Sequence, residues 1–520
     1  MTNRNRPSHL ALRSLGSLLT VLLLGLTLRA VFYVDQVLLE SVALAEQAYN
    51  LTFFPFSSEQ IVQTLREIRG IEGSSRLIVA AVGLVYDLFG VSPLTSTLIP
   101  SLSALLVAVT LYAIGNLLHR EATGLLAAFL WLILPVSVFL SGHLLPTLPI
   151  ILISTLAVYF YLRGKVYQAW IFYLLSGLLL LTGLWLQWTY VIASAVFIGW
   201  DLLGTTLSNS QKKYVAISLL AATVLFLLVG QNGTAALEQF YLTRVIEENL
   251  FLFPLLALSA SYVATTKQSQ RPSELVNWLA INAVFLLAGA RWTAADPLVA
   301  TLGLSTHWLN FLAPGTLLIA WTLDHRWDGR ITTHTISLLC TAGIILLLFA
   351  AQSPAMLTAS RIALGLTLVA FAALLIFWNA AKPFFQAALL CLLALILLGT
   401  FSTLHDYWLS YRTQSDNARA VLATLSSRNQ ATLFIGGEEL LPRFKYMVGF
   451  QPMPAQIGDL TLTMAKLRDE QAEELPPGAF VIMSKPYQDF SFGSPPQSWL
   501  LIQETQGQAN EKLLLFQVSP

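Results

Sequence analysis

The sequence predicts an all-α polytopic membrane protein that ends in a small soluble α/β domain. Apolar stretches of about the length that a bilayer core demands recur from residue 15 to residue 400. The chain is 56% hydrophobic and only 11% charged, with a mean hydropathy of +0.67, whereas soluble proteins carry about 25% charged residues. After residue 404 the hydrophobicity drops and charged residues, Pro and Gly return. We therefore expect a transmembrane domain over residues 1–404 and a soluble domain over 405–520.

The apolar stretches predict thirteen spans, so the two ends of the chain are expected on opposite sides of the membrane. The first span has a basic flank like that of a signal peptide. Arg29 interrupts its end, however, and we interpret it as an uncleaved anchor. The predicted spans are 15–33, 93–118, 123–139, 148–162, 167–184, 190–203, 214–229, 250–263, 275–290, 308–323, 334–351, 362–378 and 385–400.

The basic residues of the loops predict the orientation, because cytoplasmic loops carry an excess of Lys and Arg. The opposite short loops hold only Arg244, Arg291 and Arg361. We expect a bacterial inner-membrane protein with a cytoplasmic N-terminus, and with residues 35–92 and the C-terminal domain in the periplasm. The residues on the N-terminal side are Arg4, Arg6, Arg13, Arg120, Arg163, Lys165, Lys212, Lys213, Lys267, Arg271, Arg326, Arg330 and Lys382.

The first outer loop, residues 35–92, is too long for a simple connector. Ser57 and Gln60 have the spacing of a capping box ahead of an apolar helical face, and Gly70 ends the pattern, which predicts a helix in the membrane surface. The apolar run 77–89 is short for a span, and counting it as one would reverse every later loop. We therefore predict a re-entrant or interfacial helix there.

The C-terminal domain has the composition of a compact α/β unit. Residues 460–472 have helical periodicity, and Gly436 and Gly437 indicate a turn rather than a phosphate loop. Strand composition marks residues 431–435, 479–483, 499–502 and 513–518.

Acidic residues follow the first span directly and are the first candidates for chemistry. Asp35, Glu40 and Glu46 lie at the expected outer face, where a carboxylate can act as a general base towards a hydroxyl or an amine. A solvated helix face that carries three acids is the alternative. His143 and His307 fall at outer ends of spans, but no His-x-x-x-His or comparable spacing accompanies them, so we predict no metal site.

Residues 40–48 (ESVALAEQA) resemble the first-loop signature of the GT-C glycosyltransferases of the protein O-mannosyltransferase and aminoarabinose-transferase type. In that signature an Asp-Glu pair precedes a Tyr and an Ala-Glu-x-Ala run, and Glu40 matches the catalytic Asp. The Leu-Phe-Gly at residues 88–90 resembles another family element, as does His307-Trp308-Leu309 with Pro314. Thirteen spans with an outer C-terminal domain are also the layout of the aminoarabinose transferases.

The resemblance implies transfer of a sugar from a polyprenyl-phosphate donor to a glycan, lipid or protein acceptor, with no other cofactor. Glu40, or Asp35 five residues upstream, would then act as the general base. Cations are needed where the phosphate is left behind, although each one alone can also be an anchor to lipid headgroups. The candidates on the outer side are Arg66, Arg69, Arg76, Arg244, Arg291, Arg361 and His307.

Departures from the family pattern keep a non-catalytic scaffold or assembly subunit open as the alternative. Ser41 replaces the second acid of the pair, Ser75-Arg76 stands where the family has Pro-Pro, and Thr147 stands where a family element ends in Asp. A secondary transporter is disfavoured by the odd number of spans, the long outer loop and the C-terminal domain. The net charge of +1 argues against nucleic acid, which leaves membrane lipids, the donor, the acceptor and, for a scaffold, other proteins as partners.

Overall fold

The computed structural model describes the chain in two compact units. Unit 1 comprises residues 1–32, 100–141 and 146–405, and unit 2 comprises residues 33–99, 142–145 and 406–520. The first outer loop therefore belongs to the same unit as the C-terminal domain. The described residues are 8–32, 39–51, 58–71, 75–206, 272–289, 308–326, 416–436, 440–450, 455–457, 460–467, 475–484, 498–505, 513–519, and 255–256, 259–260, 262–263 and 496.

Within these residues the structure is helical up to residue 426 and mixed beyond it. The helices are α1 (Ser8–Val31), α2 (Leu39–Tyr49), α3 (Ser58–Gly70), α4 (Arg76–Phe89), α5 (Pro93–Leu118), α6 (Glu121–Ile133), α7 (Pro135–Ser141), α8 (Thr147–Tyr167), α9 (Trp170–Thr206), α10 (Ser273–Gly289), α11 (Trp308–Arg326), α12 (416–426) and α13 (Leu440–Met447). The strands are β1 (Gln430–Ile435), β2 (Ala455–Ile457), β3 (Leu460–Lys466), β4 (Phe480–Ser484), β5 (Trp499–Glu504) and β6 (Leu513–Val518).

The predicted span 123–139 is not one straight helix. It is broken at Pro135 into α6 and α7, whose axes differ by 62°. Proline has no backbone N–H and disfavours the helical conformation of the residue before it. Leu134 accordingly adopts φ −59° and ψ 124°. The hydropathy of the sequence located the apolar stretch but not the bend within it.

The segment α9 turns back on itself. Tyr161 of α8 contacts Tyr173 at a ring distance of 5.9 Å and also donates a hydrogen bond of 2.7 Å to Asp201. Along a straight helix Tyr173 and Asp201 would lie about 42 Å apart. The two ends of α9 therefore run in opposite directions beside α8, which agrees with the two separate spans predicted at 167–184 and 190–203.

Two helices in the described part of the chain are long and apolar enough to cross a membrane, or three if the bent α6–α7 pair is one span. The predicted spans 214–229, 334–351, 362–378 and 385–400 lie outside the described residues, as does most of 250–263. The total of thirteen stays a prediction.

Two groups of contacts in unit 1 join residues from loops that are predicted to lie on the same side of the membrane. Lys165 lies 2.8 Å from Asp201 and 3.3 Å from Glu274, at the ends of α8, α9 and α10. Arg120, between α5 and α6, binds Asp324 near the end of α11. These contacts are consistent with the predicted alternation of loops. Which side is cytoplasmic stays a prediction.

In unit 2 both predicted helices of the first outer loop are present, as α3 and α4. The C-terminal domain contains a six-stranded mixed sheet in the order β2-β3-β1-β4-β6-β5. Strands β3, β1 and β4 are parallel, and β2, β6 and β5 are antiparallel to their neighbours. Helices α12 and α13 cover one face of the sheet, where Val421, Phe444 and Leu433 are fully buried.

The predicted helix 460–472 is wrong over its first seven residues, which form strand β3. Leu460, Leu462 and Met464 are buried while the residues between them are more exposed, which is the period-two pattern of a strand. β3 pairs with β1 on one side and β2 on the other. These backbone partners come from other parts of the chain, so they override a local pattern that is also compatible with a helix.

Candidate functional site

The candidate site is built around α2, the helix whose first turn contains Glu40. Val42, Ala45 and Ala48 recur every third residue and form a fully buried face. This face packs against α4, which contributes Ile78 and Val82 to the same cluster. Because alanine side chains are short, neighbouring elements can approach the α2 backbone closely. The position of Glu40 therefore depends on what covers this face.

Helix α13 of the C-terminal domain also packs against α2. The last turn of α13 ends in a Schellman motif, in which Phe450 N–H donates to Lys445 O (2.8 Å) and Gly449 N–H to Tyr446 O (2.9 Å). Gly449 has φ +68°, and Phe450 follows with φ +55°. For a residue other than glycine this conformation costs about 1–2 kcal/mol.

The strained Phe450 directs its ring into the cluster around α2. The ring centroid lies 5.7 Å from that of Tyr49, in the last turn of α2, and 5.7 Å from that of Tyr446. Phe450 is 8% exposed. Burying a phenylalanine side chain contributes about 1.5–3 kcal/mol, which is enough to offset the backbone strain.

A buried hydroxyl network joins α4, the start of α5, and α13. Ser96 Oγ lies 2.6 Å from Tyr86 Oη and 3.0 Å from Tyr446 Oη, and it donates to Ser92 O at 2.8 Å. Because the single proton of Ser96 is used on Ser92 O, both tyrosines donate to Ser96. Burial raises the pKa of Tyr86 to about 12, so the network is neutral at physiological pH.

The predicted phosphate-binding arginines of the first outer loop lie on α3 and at the start of α4. Arg76 donates from Nε to Ile71 O (2.8 Å) and from Nη2 to Arg69 O (3.1 Å), so part of its guanidinium closes the end of α3. Arg66 and Arg69 are exposed on α3, one turn apart. The structure thus places Arg76 against the end of the helix that carries Arg66 and Arg69, and the contact of these arginines with phosphate stays a prediction.

Two of the positions that depart from the family pattern, Ser41 and Thr147, are buried. Ser41 is fully buried, and within the described part of the chain its Oγ has no hydrogen-bond partner. Thr147 is 2% exposed and is the first residue of α8. His143 is buried as well.

Several predicted site residues lie outside the described residues: Asp35, Arg244, Arg291, Arg361 and His307. Glu40 lies on a described helix, and its role stays a prediction. Among the described residues no group of three or more His, Cys, Asp or Glu side chains could hold a metal ion.

Nothing in the sequence alone marked the residues of the C-terminal domain that reach α2, namely Lys445, Tyr446 and Phe450. A signal was available only for the Schellman ending of α13, since a glycine followed by a large apolar residue after an amphipathic run is typical of it. The target of the Phe450 ring was not readable, because Tyr49 lies about four hundred residues away in the sequence.

No protein-family model and no curated protein matches the chain at the level of sequence. Solved structures that are similar over nearly its whole length include two of the same protein. One is ArnT from Cupriavidus metallidurans bound to undecaprenyl phosphate, with 12% identity and a TM-score of 0.52 over 98% of each chain. The other is the same protein in the apo state, with 14% identity and a TM-score of 0.50 over 96% of this chain and 97% of that one. The chain thus has the fold of ArnT.

Proposed function

We propose that this chain is a membrane glycosyltransferase that moves a sugar from a polyprenyl-phosphate donor to an acceptor at the extracytoplasmic face. The observation that carries the proposal is the ArnT fold over nearly the whole chain, because that protein was solved with undecaprenyl phosphate bound. The first-loop acids and the arginines of α3 and α4 supply the side chains that such a reaction needs.

In the proposed reaction Glu40 or Asp35 removes the proton of an acceptor hydroxyl or amine. The acceptor atom forms a bond to the anomeric carbon of the sugar from the side opposite the phosphate. The bond between that carbon and the phosphate oxygen breaks, and its electron pair stays on the polyprenyl phosphate. Configuration at the anomeric carbon is inverted. Cations beside the phosphate stabilise the negative charge that develops on the leaving group.

Arg66, Arg69 and Arg76 are the described candidates for this electrostatic role, and Arg244, Arg291, Arg361 and His307 complete the proposed set. A guanidinium suits phosphate because it can donate two parallel hydrogen bonds. The proposal needs no metal ion, since proton removal and charge stabilisation are both assigned to side chains.

The second candidate function is a scaffold that keeps the fold without the reaction. It is favoured by Thr147 and Ser41, which carry no charge where the family pattern has acids. A hydroxyl can donate or accept a hydrogen bond, but it cannot replace a carboxylate that orients a cation.

The test uses the purified full-length protein in lipid nanodiscs. Binding of undecaprenyl phosphate is measured by native mass spectrometry. Turnover is measured as free undecaprenyl phosphate released from a panel of undecaprenyl-phosphate-linked pentoses and hexoses, with an extract of envelope glycans and lipids as acceptor. We expect binding, and release from at least one donor. Binding without release from any donor would favour the scaffold, and absence of both would refute the glycosyltransferase proposal.

Glu40→Gln should lower release by about 10²–10⁴-fold while undecaprenyl phosphate still binds, because an amide keeps the shape but cannot take a proton. Glu67→Gln, an exposed acid of α3, is the matched control and should keep full activity. If Glu40→Gln is fully active and Asp35→Asn is not, Asp35 is the base. Full activity of both variants would contradict a first-loop general base.

A further inference from the structure

We propose that α13 of the C-terminal domain is the positioning element for the helix that carries Glu40, with Tyr446 and Phe450 as positioning residues. The inference rests on the proposed function and goes beyond it, because it makes the C-terminal domain part of the machinery of the reaction. Neither residue is proposed to touch the donor or the acceptor. They act through α2.

Helix α2 needs neighbours to hold it. It has eleven residues, and isolated helices shorter than about 12–15 residues are marginal in water. Its stability and direction therefore come from packing of Val42, Ala45 and Ala48. Two helices provide that packing: α4 from the same loop, and α13 from the C-terminal domain.

Helix α13, together with the residues that follow it up to Phe450, has two buried faces that pack against different partners. Leu440, Phe444 and Val448 belong to the core between the helices and the sheet. Tyr446 and Phe450 instead belong to the cluster that contains the buried face of α2. The sheet is thereby linked to α2 through one short helix, so a shift of the sheet moves the support of α2.

The end of α13 is specialised for this contact. The Schellman ending turns the chain through Gly449, so that Phe450 leaves the helix axis and its ring meets Tyr49 in the last turn of α2. Backbone strain at a residue other than glycine persists only where the surrounding structure holds it, and such residues cluster at functional sites. At Phe450 the contact that holds the strained residue is the one to α2.

Tyr446 adds a directional contact to the apolar one. Its hydroxyl donates to Ser96 Oγ, which also accepts from Tyr86 of α4. The two helices that cover α2 are therefore tied to the same oxygen atom. This hydrogen bond gives α13 a defined position relative to α4, which apolar packing alone does not provide.

The test is Phe450→Ala in the full-length protein, with two readouts. Hydrogen exchange should show at least a tenfold loss of protection for the backbone amides of residues 41–50. In the release assay kcat should fall at least tenfold, while KM for the donor changes less than threefold, because the donor-binding arginines are not on α2. Phe450→Leu should recover most of both losses, since a large apolar side chain refills the cluster.

Phe516→Ala is the matched control. It removes the same side chain from the opposite face of the sheet, where Phe516 packs with Trp499 and Val481 away from the α2 cluster. We expect unchanged protection of residues 41–50. If Phe516→Ala lowers this protection and kcat as much as Phe450→Ala, the contact with α2 is not specific and the proposal fails.

Tyr446→Phe is the second variant and keeps the apolar packing in case Phe450→Ala does not fold. It should lower kcat about three- to tenfold with donor KM unchanged, and an unchanged kcat would overturn the role of Tyr446. The outcomes separate the two proposals. Full activity of both the Glu40→Gln and Asp35→Asn variants would contradict the proposed reaction mechanism. Loss of activity in Glu40→Gln together with full activity in Phe450→Ala would contradict only the positioning role.

Discussion

Each of the two units contains an ion pair between a basic and an acidic residue, and the two pairs differ in how exposed their side chains are. In unit 1 the Arg120 guanidinium contacts both carboxylate oxygens of Asp324, which is fully buried and also accepts a hydrogen bond of 2.6 Å from Thr123. In unit 2 Lys445 Nζ lies 3.4 Å from Glu46 Oε1, with side chains that are 39% and 41% exposed. The ion pair of unit 1 thus involves a buried carboxylate, whereas the ion pair of unit 2 lies at the surface.

The difference shows what holds α2 in place. A buried ion pair is strongly destabilising to break, because the remaining charge has no water to solvate it. An exposed pair contributes only about 0.2–1 kcal/mol, because water competes for both charges. The contact between α2 and α13 therefore depends on the rings of Phe450 and Tyr446 and not on Lys445 and Glu46.

Arg29 is a third basic residue with a defined set of contacts, and it is buried without an ion pair among the described residues. It is 6% exposed within α1, and Nη1 and Nη2 donate to Gly25 O (2.9 Å) and Ser137 Oγ (3.0 Å). Among the described residues it has no carboxylate partner. Its weaker contact with Leu132 O, at 3.5 Å, lies just before the break at Pro135. Neutral oxygen atoms of α1 and of the α6–α7 pair therefore take the place of a counter-ion.

The largest effect is expected at the buried pair. Arg120→Met removes the charge that faces the fully buried carboxylate of Asp324 and should lower stability by about 3–5 kcal/mol, because that carboxylate is left without its counter-ion. The measurement is thermal unfolding of the full-length protein in detergent. The double variant Arg120→Met, Asp324→Leu should recover much of the loss, since neither charge is then left unpaired. If the double variant is no more stable than Arg120→Met, the unpaired charge of Asp324 is not the cause of the loss.

A smaller loss is expected at Arg29. Arg29→Met should cost about 1.5–3 kcal/mol, the range for hydrogen bonds made by a charged group. The cost stays below that of Arg120→Met because no opposite charge is left unpaired. Arg29→Lys should not restore stability, because one ammonium group cannot replace the two separated donors. A rise in unfolding temperature for Arg29→Met would mean that the buried cation is a net cost to the fold.

The smallest effect is expected at the exposed pair. Glu46→Gln should change stability by less than about 1 kcal/mol at 0.1 M salt. At 1 M salt, where the screening length is about 3 Å, the difference from the parent should disappear. Hydrogen exchange of residues 41–50 should stay as in the parent. A tenfold loss of protection in Glu46→Gln would show that charge, rather than aromatic packing, holds α2.

Local patterns of the sequence were sufficient for several elements. The capping and periodicity signals located α3, and the apolar run at 77–89 located α4. Strands β1, β4, β5 and β6 were readable from composition. Each of these depends on residues within a few positions of one another. The resemblance in residues 40–48 likewise pointed to the fold that the comparison with ArnT then showed.

Where a local pattern suited two structures, the fold decided between them. Residues 460–466 became a strand because β1 and β2 offered backbone partners on both sides. The bend of span 123–139 at Pro135 is a local effect of proline, and only the fold shows that Arg29 contacts the chain close to the break. Neither result follows from hydropathy, which reports how apolar a segment is but not what lies beside it.

The sequence by itself determined the membrane character of the chain and the presence of an acid-bearing first loop and an α/β domain. Tertiary structure alone decided that Arg120 meets Asp324, that Tyr446 meets Ser96, and that Phe450 meets Tyr49. The physical reason is that hydropathy and periodicity are properties of neighbouring residues. A contact between residues hundreds of positions apart depends on which buried faces are complementary once the elements have formed.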